Sequence, residues 1–182
     1  IEAWLQADCR GVFEMATGTG KTVTALAAAV NRHSALGKLA VIVLVPYLHL
    51  LEQWARDCLK FGFSPVLCSS NHGRWQIEVK SRIQDFNMGV RRDLCILAVH
   101  MTAASDRFRD AVGRLQPETA LIIGDEAHGL GAGHLQNALT DRARLRLGLS
   151  ATPRRWHDEE GTAAIFDYFG RTCFEFPLEK AI

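Results

Sequence analysis

Short runs of apolar residues alternate along the chain with longer stretches in which apolar positions recur at helical spacing. The run Leu39–Val45 is apolar throughout and rich in β-branched residues, and Pro46 follows it directly. Continuous apolarity of this length is typical of a central strand of a parallel sheet, which is covered on both faces. Comparable runs predict strands at Gly11–Phe13, Pro65–Cys68, Leu94–Val99, Ala120–Gly124, Leu145–Leu149 and Thr172–Phe176.

Helical periodicity fills most of the segments between these runs. In Tyr47–Phe61, for example, the apolar residues are spaced so that they share one face of a helix. The other predicted helices are Ile1–Gln6, Val23 to about His33, Arg74–Phe86, Phe108–Val112 and Thr162–Phe169. The pattern also predicts a turn at Ser34–Lys38, a loop at Ser69–Gly73 and a flexible loop at Gly129–Gly133. This alternation predicts an α/β fold in three layers, a mostly parallel central sheet with helices on both faces.

Ligands of such sheets bind at the carboxyl ends of the strands. The glycine-rich stretch Met15–Thr22, Pro46, Asp125 and Ser150 each follow a predicted strand closely. We therefore expect these four positions to gather along one edge of the sheet.

Composition limits the classes of protein that fit. With 182 residues, 48% of them apolar, the chain is long enough for one domain with a substantial core. The longest apolar run is too short to cross a bilayer, and no secretory signal opens the chain. The five cysteines lack metal-ligand spacing, which predicts buried, reduced thiols in a cytoplasmic protein. A net charge of +1 means that any binding of nucleic acid must come from local loops.

Both ends of the chain look interrupted. The first predicted helix begins at Ile1 without a capping residue, and the residues after Phe176 begin a further element. We expect residues 1–182 to form one domain of a longer protein.

The stretch Met15–Thr22 carries the clearest chemistry. Its order of strand, glycine loop and helix is that of a phosphate-binding loop, since Gly18 and Gly20 let successive N–H groups point at one anion. The dipole of the following helix favours the same anion. Lys21 would reach the β- and γ-phosphates, and the hydroxyl of Thr22 would bind Mg2+. The candidate nucleotide-binding residues are Thr17, Gly18, Thr19, Gly20, Lys21 and Thr22. Met15 stands where the strict pattern has glycine or alanine.

A second polar group, Asp125–His128, follows the predicted strand Ala120–Gly124. At a strand end Asp125 would hold Mg2+ through water, opposite Thr22. Glu126 is the candidate to orient and deprotonate the attacking water, so that Lys21, Asp125 and Glu126 form the candidate catalytic group. Taken alone, the stretch Asp125–His128 would also fit a solvated acidic turn. His128 would then be an ordinary surface or core histidine.

Four stretches in this order resemble the first RecA-like domain of superfamily-two helicases, over nearly the whole chain. They are Met15–Thr22, Val45–Pro46 with Gln53–Trp54, Asp125–His128 and Gly148–Pro153. Within that superfamily the chain is most similar to DEAD/DEAH-box proteins of the type III restriction-subunit kind. That likeness rests on Leu44–Pro46 with Leu50–Trp54, and on Leu147–Pro153 with Arg154–Arg155 and Asp158–Gly161. The RNA-dedicated DEAH group differs at Leu44–Tyr47, which favours DNA over RNA.

The resemblance implies a P-loop (RecA-like) domain that binds ATP and Mg2+ and hydrolyses ATP to drive movement on DNA, in restriction or repair. It implies that His128, Ser150 and Thr152 couple hydrolysis to movement. A second RecA-like domain of the same longer chain would supply arginine fingers, so residues 1–182 alone are expected to be nearly inactive. Nuclease or modification subunits would be further partners.

Loops that contact the nucleic-acid backbone are also implied. The candidate residues are Pro46, Tyr47, His49, His100, Met101 and Thr102. Hydroxyls and helix ends bind phosphates without excess charge, which agrees with the small net charge. Tyr47 and His49 would equally serve to cap a helix. Arg154–Trp156 would face nucleic acid or the second domain, or form a solvated basic loop.

Three other functions share part of this pattern. The first is a nucleotide switch or clamp that uses ATP without moving along nucleic acid, and the second is an RNA helicase. The third is a P-loop kinase or small-molecule ATPase. The stretch Ser150–Thr152 disfavours the third, because transfer to a small acceptor needs no link to a second domain.

Overall fold

Seven strands form the central sheet of the structure, a computed structural model that describes residues 1–177. The strands are β1 (Arg10–Met15), β2 (Leu39–Val45), β3 (Pro65–Cys68), β4 (Asp93–Val99), β5 (Ala120–Asp125), β6 (Leu145–Ser150) and β7 (Thr172–Phe176). Their order is β3-β4-β2-β5-β6-β1-β7, and every neighbouring pair is parallel. All seven strands lie where the apolar runs predict them.

Helices connect the strands. They are α1 (Glu2–Gln6), α2 (Lys21–Leu36), α3 (Leu48–Lys60), α4 (Trp75–Asn87), α5 (His100–Ala103), α6 (Asp106–Val112) and α7 (Glu159–Phe169). Three short 3₁₀ turns occupy Pro117–Thr119, Ala127–Gly131 and Gly133–Ala138.

Strand β2 shows why the core has two halves. All seven of its residues are buried, and successive side chains point to opposite faces of the sheet. Ala40, Ile42 and Leu44 pack in a cluster with side chains of α4, α6 and α7. Leu39 and the other odd-numbered residues of β2 pack in a second cluster with side chains of α1, α2 and α3. Each large side chain that is fully buried in these clusters contributes about 1.5–3 kcal/mol. The three-layer α/β prediction is confirmed.

The strand order brings the predicted motifs to one edge. Strands β2, β5, β6 and β1 are consecutive neighbours in the sheet and run in the same direction. Their carboxyl ends deliver Pro46, Asp125, Ser150 and the loop after Met15 to the same edge.

Two local predictions are wrong. The turn expected at Ser34–Lys38 begins only at Gly37, because α2 continues to Leu36 and Gly37 ends it with φ +73°. Gly129–Gly133, expected as a flexible loop, lies in two 3₁₀ turns in which Leu130 is fully buried. Leu130 packs in the same apolar cluster as α7, and its burial holds this glycine-rich stretch in place.

Residues 178–182, part of the segment where the sequence predicts a further element, lie outside the described residues. Across residues 1–177, none of the helices has the length and apolarity needed to span a membrane. All five cysteines are free thiols, and only Cys173 is partly exposed.

Gly124 in the central strand β5 offers a test of the close packing between the sheet and α7. An added Cβ would lie 2.7 Å from Cζ of Phe169 and 3.0 Å from Cδ1 of Leu130. We expect Gly124→Ala to lower the free energy of unfolding by about 1–3 kcal/mol, the usual cost of overpacking a core. Urea denaturation measures this change.

Gly73→Ala is the matched control, because a Cβ there meets nothing within 4 Å. Its free energy of unfolding should stay within about 0.5 kcal/mol of the parent value. Equal stabilities of the two variants would contradict the tight packing of β5 against α7.

Candidate active site

The loop between β1 and α2 has the geometry of an anion site. Gly18 and Gly20 adopt φ values of +82° and +88°, a left-handed region that glycine enters without strain. Gly20 occupies the N-cap position of α2, and no side chain caps the helix there. The first N–H groups of a helix lack intrahelical acceptors, so those of α2 are available to a phosphate. The hydroxyl of Thr19 donates to the carbonyl of Ala16 at 2.6 Å, which closes the loop on itself.

Asp125, the last residue of β5, is a buried carboxylate with two N–H donors. Its Oδ2 accepts a hydrogen bond from Trp54 Nε1 at 2.9 Å, and its Oδ1 accepts one from the backbone N–H of Glu126 at 3.1 Å. Burial raises the pKa of this carboxyl, while the hydrogen bond from Trp54 opposes the rise. The sequence placed Trp54 on an apolar helix face and in a stretch of the helicase resemblance, but did not predict this contact. A buried tryptophan N–H needs an acceptor, and that requirement was the available signal.

Glu126 connects the two motifs. Its Oε1 lies 3.2 Å from Nζ of Lys21, although the two residues are 105 positions apart. Its backbone is left-handed, with φ +46°. Such a conformation is costly for a residue with a Cβ, and it occurs preferentially at functional sites. The carboxylate keeps 31% of its side-chain exposure, so solvent reaches it.

His128 extends this group toward β6. Its Nδ1 lies 3.0 Å from Oγ of Ser150 and 3.5 Å from Oε2 of Glu126. Ser150 is fully buried, and its Oγ also accepts the backbone N–H of Thr152 at 3.1 Å. The side chain of Thr152 makes no hydrogen bond within the described residues, so Thr152 joins the group through its backbone. A series of side-chain contacts thus links the ends of β1, β5 and β6, and it runs from Lys21 through Glu126 and His128 to Ser150.

The candidate nucleic-acid residues divide into exposed and buried ones. Tyr47 and His49 are exposed, and their rings stack 5.7 Å apart. Tyr47 is the N-cap residue of α3 but makes no capping hydrogen bond through its side chain. Pro46 and Thr102 are half-buried, and Met101 is 62% exposed.

His100 departs from the expectation, because its side chain is only 3% exposed. Its Nε2 donates to the backbone carbonyl of Asp125 at 3.1 Å. Burial lowers the pKa of His100 from 6.5 to about 4, although backbone hydrogen bonds to Asp125 and Leu44 oppose the change. The imidazole is therefore neutral and inside the domain, and it cannot contact a nucleic acid in this conformation.

The basic stretch after β6 also divides. Arg154 and Trp156 are exposed, whereas Arg155 is half-buried and donates from Nη1 to the carbonyl of His128 at 2.6 Å. Its Nε donates to Oδ2 of Asp158 at 2.5 Å. The sequence contains no signal for the contact between Arg155 and the carbonyl of His128, because it joins residues 27 positions apart through a main-chain atom.

The chain is also similar to known proteins. The family model described as "Type III restriction enzyme, res subunit" matches residues 1–155. The chain is 32% identical over 162 residues to a "Putative DNA 3'-5' helicase Rad25" of Halobacterium salinarum, with 88% of this chain and 23% of that protein covered. It is 29% identical over 157 residues to the "DNA 3'-5' translocase XPB2" of Sulfurisphaera tokodaii, with 85% and 29% covered.

Among solved structures, the fold resembles a nuclease-deletion mutant of the type ISP restriction-modification enzyme LlaGI in complex with a DNA substrate mimic. The TM-score is 0.77 at 21% identity, and the match covers 99% of this chain and 19% of that one. The chain spans about a quarter of the length of the curated relatives described above.

The buried imidazole of His100 predicts a pH-dependent stability. The folded pKa, about 4, lies below the ordinary 6.5, so the unfolded chain binds more protons between these values. The free energy of unfolding should therefore fall as the pH drops, by about 2 kcal/mol between pH 7 and pH 5 from this residue. Urea denaturation at several pH values, without divalent cations, measures the slope.

His128 is the ionisable group whose charge acts on His100, so the comparison needs a variant that changes His100 alone. In His100→Gln the amide retains a donor for the Asp125 carbonyl but does not titrate. The pH slope between 7 and 5 should flatten in this variant. Parallel slopes for the two proteins would contradict a neutral, buried His100.

Proposed function

Because the chain belongs to the family of the type III restriction enzyme res subunit, we propose that it is the ATP-binding motor domain of a superfamily-two helicase or translocase. In this proposal residues 1–182 form the first RecA-like domain of a longer protein. ATP hydrolysis at the carboxyl edge of the sheet drives movement of that protein on DNA.

The observation that carries the proposal is the contact between Lys21 and Glu126. It joins the phosphate loop to the acidic motif across the edge of the sheet, at 3.2 Å. A cation that binds phosphate and a carboxylate that activates water must act on the two sides of the same γ-phosphate. Their proximity supports one site that both binds and hydrolyses a nucleoside triphosphate.

ATP fits the phosphate loop, and Mg2+ fits the residues beside it. The uncapped start of α2 offers N–H groups to the phosphates, together with Thr17, Gly18, Thr19, Gly20 and Lys21. Thr22 and Asp125 would hold Mg2+. The hydroxyl of Thr22 makes no hydrogen bond within the described residues, and the two N–H donors on Asp125 leave lone pairs for a cation or its water. Bound Mg2+ would neutralise charge that develops on the phosphate oxygens.

Glu126 is the proposed general base. Its side chain is the partly exposed carboxylate of the site, whereas Asp125 is buried and has N–H donors on both oxygens. A proton from the attacking water would pass to a carboxylate oxygen of Glu126. His128, 3.5 Å from Oε2 of Glu126, would relay the state of the site to Ser150 and Thr152.

DNA is the proposed nucleic acid. The names of two relatives describe DNA helicase or translocase activity, and a structural neighbour was solved with a DNA substrate mimic. Pro46, Tyr47, His49, Met101 and Thr102 remain the proposed backbone contacts. A restriction or repair system, with nuclease or modification subunits, is the proposed setting.

Loss of Lys21 should strongly weaken nucleotide binding without unfolding the domain. Lys21→Ala removes a charged hydrogen bond worth about 1.5–3 kcal/mol, so affinity for a non-hydrolysable ATP analogue should fall at least about tenfold. Titration calorimetry measures the affinity, and the thermal midpoint should change little. Lys60→Ala is the control, because among residues 1–177 the side chain of Lys60 pairs with Asp57 alone, on the surface of α3.

Glu126→Gln, in contrast, should retain the analogue and lose hydrolysis. If Lys21→Ala binds the ATP analogue with the parent affinity, the assignment of the phosphate loop is wrong.

Nucleic acid should stimulate the ATPase of the full-length protein. Parallel assays without nucleic acid, and with double-stranded DNA, single-stranded DNA or RNA, should show stimulation by DNA and little by RNA. Residues 1–182 alone should turn over at least about 10³-fold more slowly, because in this proposal a second domain supplies the catalytic arginine. A flat response to all three nucleic acids would instead favour a nucleotide switch, and stimulation by RNA alone would favour an RNA helicase.

A further inference from the structure

Arg155 joins the 3₁₀ turn that carries His128 to the start of α7. Its Nη1 donates to the carbonyl of His128 at 2.6 Å, and its Nε forms an ion pair with Oδ2 of Asp158 at 2.5 Å. The first contact reaches the 3₁₀ turn Ala127–Gly131, and the second reaches the start of α7. The guanidinium therefore spans the gap between the acidic motif and the loop that follows β6.

Asp158 is itself fixed. Its Oδ1 accepts the backbone N–H of Gly161 at 2.7 Å and so caps α7. Thr162 reinforces the same corner, since its hydroxyl donates to the carbonyl of Asp158 and accepts the backbone N–H of Arg155. The anchor for Arg155 is thus a helix terminus held by three further hydrogen bonds.

The 3₁₀ turn and the start of α7 also touch directly. A Cβ on Gly161 would lie 2.7 Å from the carbonyl oxygen of Gly131, so the two backbones are closer than side chains would permit. The turn cannot shift toward α7, and Arg155 resists a shift away from it. These two contacts, the packing of Gly131 on Gly161 and the hydrogen bond from Arg155, therefore fix the main chain of His128.

The ring of His128 faces the opposite way, toward Glu126 and Ser150. A change in the position of its main chain would move the ring relative to both partners. Within residues 1–177, Arg155 makes no hydrogen bond or ion pair with Lys21, Asp125 or Glu126, so its effect on hydrolysis is expected to pass through His128.

We propose that Arg155 is a positioning residue for ATP hydrolysis, which fixes the main chain of His128 and thereby the placement of Glu126. The proposal rests on the proposed function, in which Glu126 activates water. The guanidinium suits this role because one rigid, planar group donates to a carbonyl and a carboxylate together. A lysine ammonium is a single point charge on a flexible stem and cannot reproduce that geometry.

The test compares three variants in the full-length protein. Arg155→Ala should lower kcat by up to about 10²-fold, the cost of misplacing a reacting group by about 1 Å. KM for ATP should stay close to the parent value, because the phosphate loop is untouched. Arg155→Lys should remain clearly below the parent kcat despite its charge. Arg171→Ala is the control, an exposed arginine at the far end of α7 that makes no side-chain hydrogen bond within the described residues, and it should match the parent.

Asp158→Asn separates positioning from loss of structure. Asparagine caps a helix as well as aspartate does, so α7 should keep its stability while Arg155 loses its carboxylate partner. We expect a lower kcat with an unchanged thermal midpoint. Arg155→Ala in the Asp158→Asn background should add little further loss, since the two residues act as one unit.

A spectroscopic readout does not depend on hydrolysis. The NMR signals of the His128 ring should shift in the Arg155 and Asp158 variants and stay in place in Arg171→Ala. Unchanged ring signals, or a fall in kcat that merely follows a fall in thermal midpoint, would overturn the positioning role. If Glu126→Gln retains hydrolysis, the proposed function fails, and the His128 signals still report whether Arg155 fixes the turn.

Discussion

The buried carboxylate of Asp125 is the constraint on which the site depends. An ionised carboxylate away from water is costly unless hydrogen bonds replace its hydration. Here one donor, the Trp54 indole, comes from α3, and the other comes from the backbone of Glu126. The indole reaches the end of β5 only if α3 packs on the sheet in one register. The same carboxylate accepts the N–H of Glu126, whose backbone is left-handed and whose side chain contacts Lys21.

The parallel order of the sheet supplies the other half of the site. Because β1, β6, β5 and β2 are consecutive neighbours, the residues of the site meet at one edge of the sheet. The first of them, Lys21, and the last, Ser150, are separated by most of the chain. Packing on both faces holds these strand ends rigidly. The site therefore needs little local structure of its own, and short loops suffice to carry the reactive side chains. Around it, His100 and Arg155 hold main-chain carbonyls of the acidic motif from two sides.

Sequence reasoning succeeded for features that depend on neighbouring residues and failed for contacts between residues far apart in the chain. The seven strands follow from apolar runs, and the loop with left-handed Gly18 and Gly20 before α2 follows from glycines next to a lysine, since both depend on neighbouring residues. His100 was expected to contact the nucleic-acid backbone, because its position after a strand does not reveal that its ring turns inward toward the Asp125 carbonyl. Gly129–Gly133 was expected to be flexible, because its composition hides the burial of Leu130.

The sequence by itself determined the α/β class, the strand positions and the residue types available at the carboxyl edge, because periodicity and motif order are properties of consecutive residues. Tertiary structure alone decided which of those residues touch. It paired Lys21 with Glu126, gave Asp125 its donor from Trp54, buried His100 and attached Arg155 to the carbonyl of His128. Each contact joins atoms far apart in the chain, and its geometry depends on how helices and strands pack, which no local pattern encodes.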